Sequence, residues 1–224
     1  NESKDYVAYY EDIYVGYRYF ETINGASEKV NYPFGYGLSY TTFDISKPLA
    51  TLDGENIKVS LTVKNTGSFA GKEVVQCYFS APQGVLGKAK ISLAAFKKTK
   101  LLDPDESEDI ILSFPVSSMA SYDDLGKCEK SAYVLEGGEY AFYIGNSVRN
   151  TVKADFIYTV AEEFRVTEKL TERAYPTELE KRMLADGISP TRAAMLCGFN
   201  DYSVFYRAFY NEYGRAPKNE YNKI

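Results

Sequence analysis

The stretch IKVSLTVKNTGSFAGKEVVQCYFSA, residues 57–81, contains two runs of alternating apolar residues on either side of a turn signal, NTG at 65–67. Alternation with a period of two places these residues on one face of each strand. The alternating apolar positions are Ile57, Val59, Leu61, Val63, Val75, Cys77 and Phe79. The pattern predicts two antiparallel strands that each bury one face and leave the other polar.

Further segments of strand composition follow at short spacing. They are ISLAAFKKTKL (91–101), DIILSFPV (109–116), GEYAFYIGN (138–146) and VKADFIYTV (152–160). Turn signals separate the segments: APQG at 81–84, DPDES at 103–107 and EGG at 136–138. Six or seven short strands with frequent turns are typical of an antiparallel, immunoglobulin-like β-sandwich. We therefore predict a mainly β chain with such a sandwich over residues 47–160.

The composition sets limits on function. The chain has 224 residues, of which 45% are hydrophobic and 15% aromatic, enough for a genuine core in a soluble globular protein. The net charge of -5 provides no overall basic field that would attract nucleic acid or an anionic membrane. No apolar run approaches the roughly 18 residues of a spanning helix, so no membrane partner is expected. Because the chain opens on Asn1 rather than methionine, we interpret it as a fragment or a processed product.

Cysteine and histidine usage excludes several chemistries. Cys77, Cys128 and Cys197 are far apart and form no CxxC pair, which argues against a disulfide framework and a zinc site. The chain has no histidine, so a Ser/His or Cys/His nucleophile cannot form. We expect no metal and no cofactor. A reducing compartment, the bacterial cytoplasm, is the expected location.

The first 46 residues are rich in tyrosine and irregular, with YYEDIYVGYRYF at 9–20 and YPFGYGLSYTTF at 32–43. Apolar residues on alternate positions from 13 to 19 predict a short strand. Taken with the turn and strand sequences that follow, these motifs resemble, in the same order, the C-terminal part of glycoside hydrolase family 3, the β-glucosidase family. The resemblance covers about residues 6–160.

The resemblance implies a domain organisation. Residues 1–46 would be the incomplete tail of an α/β sandwich domain, and residues 47–160 a fibronectin type III-like domain. Tyr32, Phe34, Tyr36 and Tyr40 would then pack between the two domains, the alternative being direct contact with a sugar. The implied partners are the catalytic barrel and α/β domains of a glycosidase, in cis or in trans.

The resemblance does not supply a catalytic pair. A retaining glycosidase needs two carboxyl groups about 5 Å apart, and the family's nucleophile and acid/base lie in regions that have no counterpart here. Glu11 and Asp12 are interpreted as a charge partner and a solvated residue. We therefore predict no catalytic residue, and a noncatalytic accessory role in a β-glucosidase-like enzyme.

The composition of the chain changes again after Val160. Residues 161–183 are predicted to be a charged linker, and residues 184–224 resemble the second helix-turn-helix of AraC-type transcription regulators. Pro190 is expected at a first helical position, Gly198 and Gly214 at helix ends, and Asp201 at a helix N-cap. The apolar residues of the second helix recur at three- and four-residue spacing.

The AraC resemblance implies a second functional class, a DNA-binding regulator. Side chains near base edges would be Asp201, Tyr202, Ser203 and Arg207, and those near phosphates Arg215 and Lys218. Between Met183 and Ile224, however, five basic and four acidic residues leave a charge of only +1, which favours weak phosphate binding. The competing interpretation is a small helical cap built around the phenylalanines of this segment.

Overall fold

The computed structural model describes residues 11–170, 184, 187–196, 199 and 201–221. The chain divides into two compact units, with the division between Glu168 and Lys169. The first unit is built almost entirely from strands and the second from short helices, which confirms the predicted fold class. Among the described residues, none of the helices has the length and apolar composition needed to cross a bilayer.

The first unit begins with one helix, α1 (Tyr17–Thr22), and a 3-10 turn (Ser27–Lys29). Its strands, in chain order, are β1 (Phe43–Ile45), β2 (Leu49–Asp53), β3 (Asn56–Asn65), β4 (Val74–Ser80), β5 (Ser92–Lys98), β6 (Ser107–Pro115), β7 (Ser121–Asp123), β8 (Ala132–Ser147) and β9 (Asn150–Lys169). A second 3-10 turn (Val116–Met119) separates β6 from β7.

The strands form two antiparallel sheets. In the first sheet β3 is central and pairs with β1, β2 and β6. The second sheet has the order β5-β4-β8, and β7 and β9 also pair with β8. β3 and β4, the two strands of the 57–81 stretch, therefore lie in different sheets, and the NTG turn begins the crossover between them.

The hydrophobic core lies between the sheets and is filled by the predicted alternating side chains. Ile57, Val59 and Val63 of β3 and Val75 and Cys77 of β4 are fully buried in it. β6 and β8 complete the core with Ile110, Leu112, Phe114, Tyr140, Phe142 and Ile144. Burial raises the pKa of the Cys77 thiol to about 12, so this cysteine stays protonated and serves as a small apolar residue.

The structure corrects two local predictions. Residues 17–22 form helix α1 instead of a strand, and Gly16, with a φ of 59°, lies at the helix N-cap in a left-handed conformation. The EGG sequence at 136–138 is not a turn but part of β8. A Cβ on Gly137 would lie 2.3 Å from the carbonyl oxygen of Glu162, so glycine here permits the close approach of a neighbouring strand.

One predicted boundary and three short strands also differ from the sequence-based prediction. β9 runs on past residue 160 to Lys169, so the first nine residues of the predicted linker are strand. The short strands β1, β2 and β7 had no clear alternation to reveal them. The remainder of the predicted linker, residues 171–183, lies outside the described residues.

The loop after β7 is organised by one buried carboxylate. Asp123 is fully buried and accepts hydrogen bonds from the backbone amides of Gly126, Lys127, Cys128 and Glu129 at 2.7–3.1 Å. Burial alone would raise the pKa of Asp123, but the four amide donors outweigh it and hold the pKa below its usual range. The ionised carboxylate is therefore part of the folded structure.

Asp123→Ala is expected to change how stability depends on pH. Because the pKa of Asp123 is lower in the folded than in the unfolded chain, its stabilisation is fully present above the unfolded pKa of about 3.9 and is lost as the pH falls through the folded value. The difference in melting temperature between wild type and variant should therefore be largest near neutral pH and shrink below about pH 4. Thermal melts at a series of pH values measure it. Asp44→Ala, which removes an exposed carboxylate of β1, is the control; an Asp123 variant that behaves like it would contradict the assignment.

The second unit contains three short helices among its described residues. They are α2 (Pro190–Leu196), α3 (Tyr202–Tyr213) and α4 (Pro217–Tyr221). Leu184, Ala193, Ala194, Phe205 and Phe209 form its core, with Phe199 packed against them. The predicted helix start at Pro190, the Asp201 N-cap and the left-handed Gly214 are confirmed. Gly198 lies outside the described residues.

Candidate interdomain docking surface

The aromatic segment, defined here as residues 11–42, covers the outer face of the second sheet. Gln76 and Tyr78 of β4 point away from the core, yet Tyr78 is fully buried. Tyr17 packs edge-on against Tyr78 with ring centroids 6.1 Å apart, and Phe34 stacks on Tyr17 at 4.7 Å. Burial, together with nearby Tyr17 and Glu21, raises the pKa of Tyr78. The segment therefore belongs structurally to the sandwich.

Backbone contact at Gly35 fixes the segment on the sheet. Gly35 has a φ of +86°, and a Cβ there would lie 2.5 Å from the side-chain nitrogen of Gln76 and 2.9 Å from the Cα of Ser147. Next to it, the carbonyl of Phe34 accepts a hydrogen bond from the Val148 amide at 2.9 Å. Gln76 is itself held, since it accepts a hydrogen bond from the Tyr78 hydroxyl and donates one to the Asn146 carbonyl. Only glycine combines this φ with so close an approach.

Polar contacts fasten the first half of the segment. Arg149, in the turn between β8 and β9, donates to the Glu21 carboxylate at 2.8 Å and to the Ser27 carbonyl at 3.1 Å. The amide of Leu93 donates to the Tyr17 hydroxyl at 2.8 Å. These contacts, like those of Gly35, all join the segment to the second sheet or to the turn between β8 and β9.

Asn65 fastens the end of the segment. It is fully buried, and its side chain makes four hydrogen bonds. The amide nitrogen donates to the carbonyls of Phe69 and Leu102 at 2.8 and 2.9 Å, and the oxygen accepts from the Thr41 hydroxyl at 2.6 Å and the Gly67 amide at 3.1 Å. This single side chain joins the aromatic segment, the NTG turn and the loop before β6.

The opposite side of the segment exposes an apolar patch, defined here as Tyr32, Tyr36, Leu38 and Tyr40. Tyr40 is 95% exposed, Leu38 92%, Tyr32 70% and Tyr36 51%. Tyr32 and Tyr36 pack on each other with ring centroids 5.0 Å apart. Clustered exposed apolar side chains mark interaction surfaces in proteins. Of the four aromatic residues named from the sequence, Phe34 is 45% exposed and stacks on Tyr17, and the other three lie in the exposed patch.

A buried ion pair lies beside the segment, at one end of the second sheet. The side chains of Lys88 and Glu136 are both only 6% exposed and form a salt bridge. The other carboxylate oxygen of Glu136 accepts from the Val85 amide at 2.6 Å, and Lys88 also donates to the Pro82 carbonyl at 3.1 Å. Sequence reasoning missed this pair because the partners are far apart in the chain. The only local signal is the glycine at 84, where a Cβ would meet the Glu136 carboxylate at 2.0 Å.

Carboxylates at the start of the described residues and in the turn before β6 occupy exposed or structural positions. Glu11 and Asp12 are exposed at the start of the described residues. Glu106 forms a salt bridge with Lys100 at 2.7 Å, and this hydrogen bond holds the pKa of Glu106 below its usual range. Glu108 accepts from the Lys100 amide at 2.7 Å. These acids therefore organise a surface turn.

The residues named as DNA contacts lie on the helices of the second unit, and some are already engaged there. The carboxylate of Asp201 accepts from the Ser203 amide at 2.6 Å, a hydrogen bond that lowers the pKa of Asp201. Arg207 donates to the Ser203 carbonyl at 3.4 Å. Tyr202 and Lys218 are exposed, whereas Arg215 is half-buried. Asp201 therefore serves as the N-cap of helix α3, and its carboxylate already has a hydrogen-bond partner within the second unit.

Residues 73–148 match the family model of the fibronectin type III-like domain. The match begins just before β4 and ends in the turn after β8, so it covers most of the second sheet. The sandwich is therefore of the fibronectin type III-like class.

Comparison of the whole chain with curated proteins finds similarity to longer β-glucosidases. The chain is 50% identical over 203 residues to β-glucosidase A of Butyrivibrio fibrisolvens, a match that covers 84% of this chain and 24% of that protein. It is 44% identical over 190 residues to a β-glucosidase of Ruminococcus albus, covering 84% and 20%. The chain thus spans about a quarter or less of the curated relatives that it matches.

Solved structures agree. A β-glucosidase structure from Paenibacillus barengoltzii superposes with a TM-score of 0.68 at 53% identity, covering 72% of this chain and 18% of that one. β-Glucosidase 3B of Thermotoga neapolitana, solved with α-D-glucose, gives a TM-score of 0.62 at 43% identity over 71% and 21%. The chain resembles the C-terminal, fibronectin type III-like region of glycoside hydrolase family 3 β-glucosidases, a region without the catalytic barrel. These matches give the DNA-binding interpretation no support.

Proposed function

We propose that this chain is a noncatalytic accessory region that docks onto the catalytic body of a β-glucosidase-like glycoside hydrolase, in cis or in trans. The observation that carries the proposal is the two-sided aromatic segment. One side, with Tyr17 and Phe34, is packed on the sandwich, and the other exposes the patch of Tyr32, Tyr36, Leu38 and Tyr40.

The nature of the partner follows from the relatives. In these longer β-glucosidases, the matched region makes up 18–24% of the chain, and the remainder includes a catalytic domain. Exposed tyrosines and a leucine suit a partner with a complementary apolar surface, because burying such side chains drives association. The aromatic segment would then hold the sandwich against the catalytic body while making no contact with the scissile bond.

A complementation experiment tests the proposal. The chain is mixed with the part of the B. fibrisolvens β-glucosidase that remains after removal of the region matching this chain. We expect the chain alone not to hydrolyse an aryl β-glucoside, and the mixture to form a complex on size-exclusion chromatography. The triple variant Tyr36→Ser/Leu38→Ser/Tyr40→Ser should bind at least about tenfold more weakly, since it removes the exposed anchors.

Leu49→Ser is the matched control for the docking patch. Leu49 is 64% exposed, but it lies on β2 in the first sheet and is not part of the aromatic segment. Its substitution should leave complex formation unchanged. Equal binding by the triple variant and wild type would refute docking through the patch, and hydrolysis by the chain alone would refute a noncatalytic role.

We further propose a location in the bacterial cytoplasm. The relatives from Butyrivibrio and Ruminococcus are bacterial proteins. Cys77 and Cys128 are free thiols, which suits a reducing compartment. Fractionation of cells that produce the natural protein tests this location.

A further inference from the structure

A cleft of about 580 Å³ opens in the first unit, and no residue of the exposed docking patch lines it. Its walls come from three parts of the chain that are distant in sequence: the start of the aromatic segment, the loop between β4 and β5, and the region around β7. The volume lies in the range of small-molecule sites in proteins. Neither the fibronectin type III-like class nor the docking role assigns a ligand to this cleft.

Two tyrosine rings line one wall. Tyr122 of β7 and Tyr133 of β8 are directly opposite in the antiparallel register, with ring centroids 5.3 Å apart. Both are outside the hydrophobic core, and both remain more than a third exposed. A pair of exposed, mutually supported aromatic rings provides a rigid apolar surface with hydroxyl groups at its edge.

Three charged side chains line the cleft without a protein partner among the described residues. Asp12, Arg18 and Asp124 are exposed there, and none of them forms a hydrogen bond or an ion pair with another described side chain. Asp12 also has a φ of 51°, a left-handed conformation that is uncommon outside glycine. The cleft thus offers two carboxylate acceptors, one guanidinium donor and two aromatic rings.

This combination selects a ligand class. A ligand must present an apolar face to the tyrosines and several hydroxyl groups to the carboxylates and the guanidinium, which is the surface of a pyranose ring. The second cation of the lining, Lys88, is already paired with Glu136, so the free charges of the cleft are two negative and one positive. A neutral sugar fits this balance better than a sugar phosphate or a sugar acid.

We propose that the cleft is a carbohydrate-binding site for a neutral pyranose, with the rings of Tyr122 and Tyr133 stacking on the sugar. Asp12 and Asp124 accept hydrogen bonds from its hydroxyl groups, and Arg18 donates to a hydroxyl or ring oxygen. The site binds without cleaving. It does not depend on the docking proposal, because its aromatic and charged residues are separate from the exposed patch.

Calorimetric titration of the full chain with cellobiose tests the proposal. We expect saturable binding with a dissociation constant of about 1 mM, as befits a shallow site with few contacts. Tyr122→Ser/Tyr133→Ser should weaken binding at least about tenfold through the loss of both stacking surfaces. Phe96→Ser, which removes an aromatic side chain of β5 that is 68% exposed and does not line the cleft, should bind as wild type does.

Single variants keep the test decisive if the double tyrosine variant does not fold. Arg18→Gln and Asp124→Asn change exposed side chains, should leave the circular dichroism spectrum unchanged, and should each weaken cellobiose binding several-fold. Absence of saturable binding to wild type, or unchanged affinity in both single variants, would overturn the proposal. Tighter binding of glucose 6-phosphate than of cellobiose would also overturn it, because that result identifies an anion site. Loss of cellobiose binding together with intact docking would separate this site from the accessory function.

Discussion

Lys88→Met is expected to lower the free energy of unfolding by about 3–5 kcal/mol, because it removes one partner of a buried ion pair. The Glu136 carboxylate would keep its hydrogen bond from the Val85 amide, but its charge would remain buried without a counterion. Methionine fills a volume similar to that of the lysine stem, so the change tests the charge more than the packing. Urea unfolding followed by circular dichroism measures the difference.

Two further variants test whether the loss in stability comes from the unpaired buried charge of Glu136. Lys64→Met breaks the ion pair of Lys64 with Asp105, whose side chains are 46% and 86% exposed, and should change stability by at most about 1 kcal/mol. Lys88→Met/Glu136→Gln removes the stranded charge and keeps an acceptor for Val85, so it should recover much of the loss. If Lys88→Met lowered the free energy of unfolding no more than Lys64→Met does, the Lys88–Glu136 pair would not make the contribution to stability that its burial indicates.

Asn65→Ala should lower the free energy of unfolding by about 3–4 kcal/mol, because it leaves four polar groups without their partner. Two of these groups are the carbonyls of Phe69 and Leu102, and the others are the Thr41 hydroxyl and the Gly67 amide. The loss should also loosen the end of the aromatic segment, since Thr41 is one of the four. Increased amide hydrogen exchange at residues 40–42 would report that loosening.

Asn56→Ala is the matched control for Asn65→Ala. Asn56 is at the other end of the same strand but is exposed, so its removal should change stability by no more than about 0.5 kcal/mol. A similar small effect at both positions would mean that water replaces the four hydrogen bonds of Asn65 without penalty, contrary to its complete burial.

Much of the sandwich could be predicted because β3 and β6 bury one face only. The alternating apolar positions of these two strands are the ones found in the core, whereas β4 is buried on both faces because the aromatic segment covers Gln76 and Tyr78. β8 is harder to predict from the sequence, because Gly137 and Gly138 resemble a turn signal until the close approach of β9 is known. The helix α1 was misassigned because apolar residues on both faces of a short segment gave a false strand period.

The functional surfaces depend on contacts that no local pattern encodes. The family resemblance implied interdomain packing for the aromatic residues of 32–43, but an irregular segment has no period that could show Phe34 stacked on Tyr17 and Tyr40 facing solvent. Lys88 and Glu136 meet only because the loop after β4 folds over β8. The carbohydrate cleft likewise joins Asp12 and Tyr133, which are far apart in the sequence of the first unit.

The coverage of Tyr78 has a practical consequence for producing a minimal version of this domain. Trimming the chain at the compositional boundary after residue 46 would strip Tyr17 and Phe34 from the second sheet, uncovering the Tyr78 ring and the Gln76 amide. A protein shortened in this way should aggregate and express poorly, since an exposed apolar sheet face promotes self-association. A workable expression boundary therefore lies upstream of Tyr17, inside what the sequence motifs assign to the neighbouring domain.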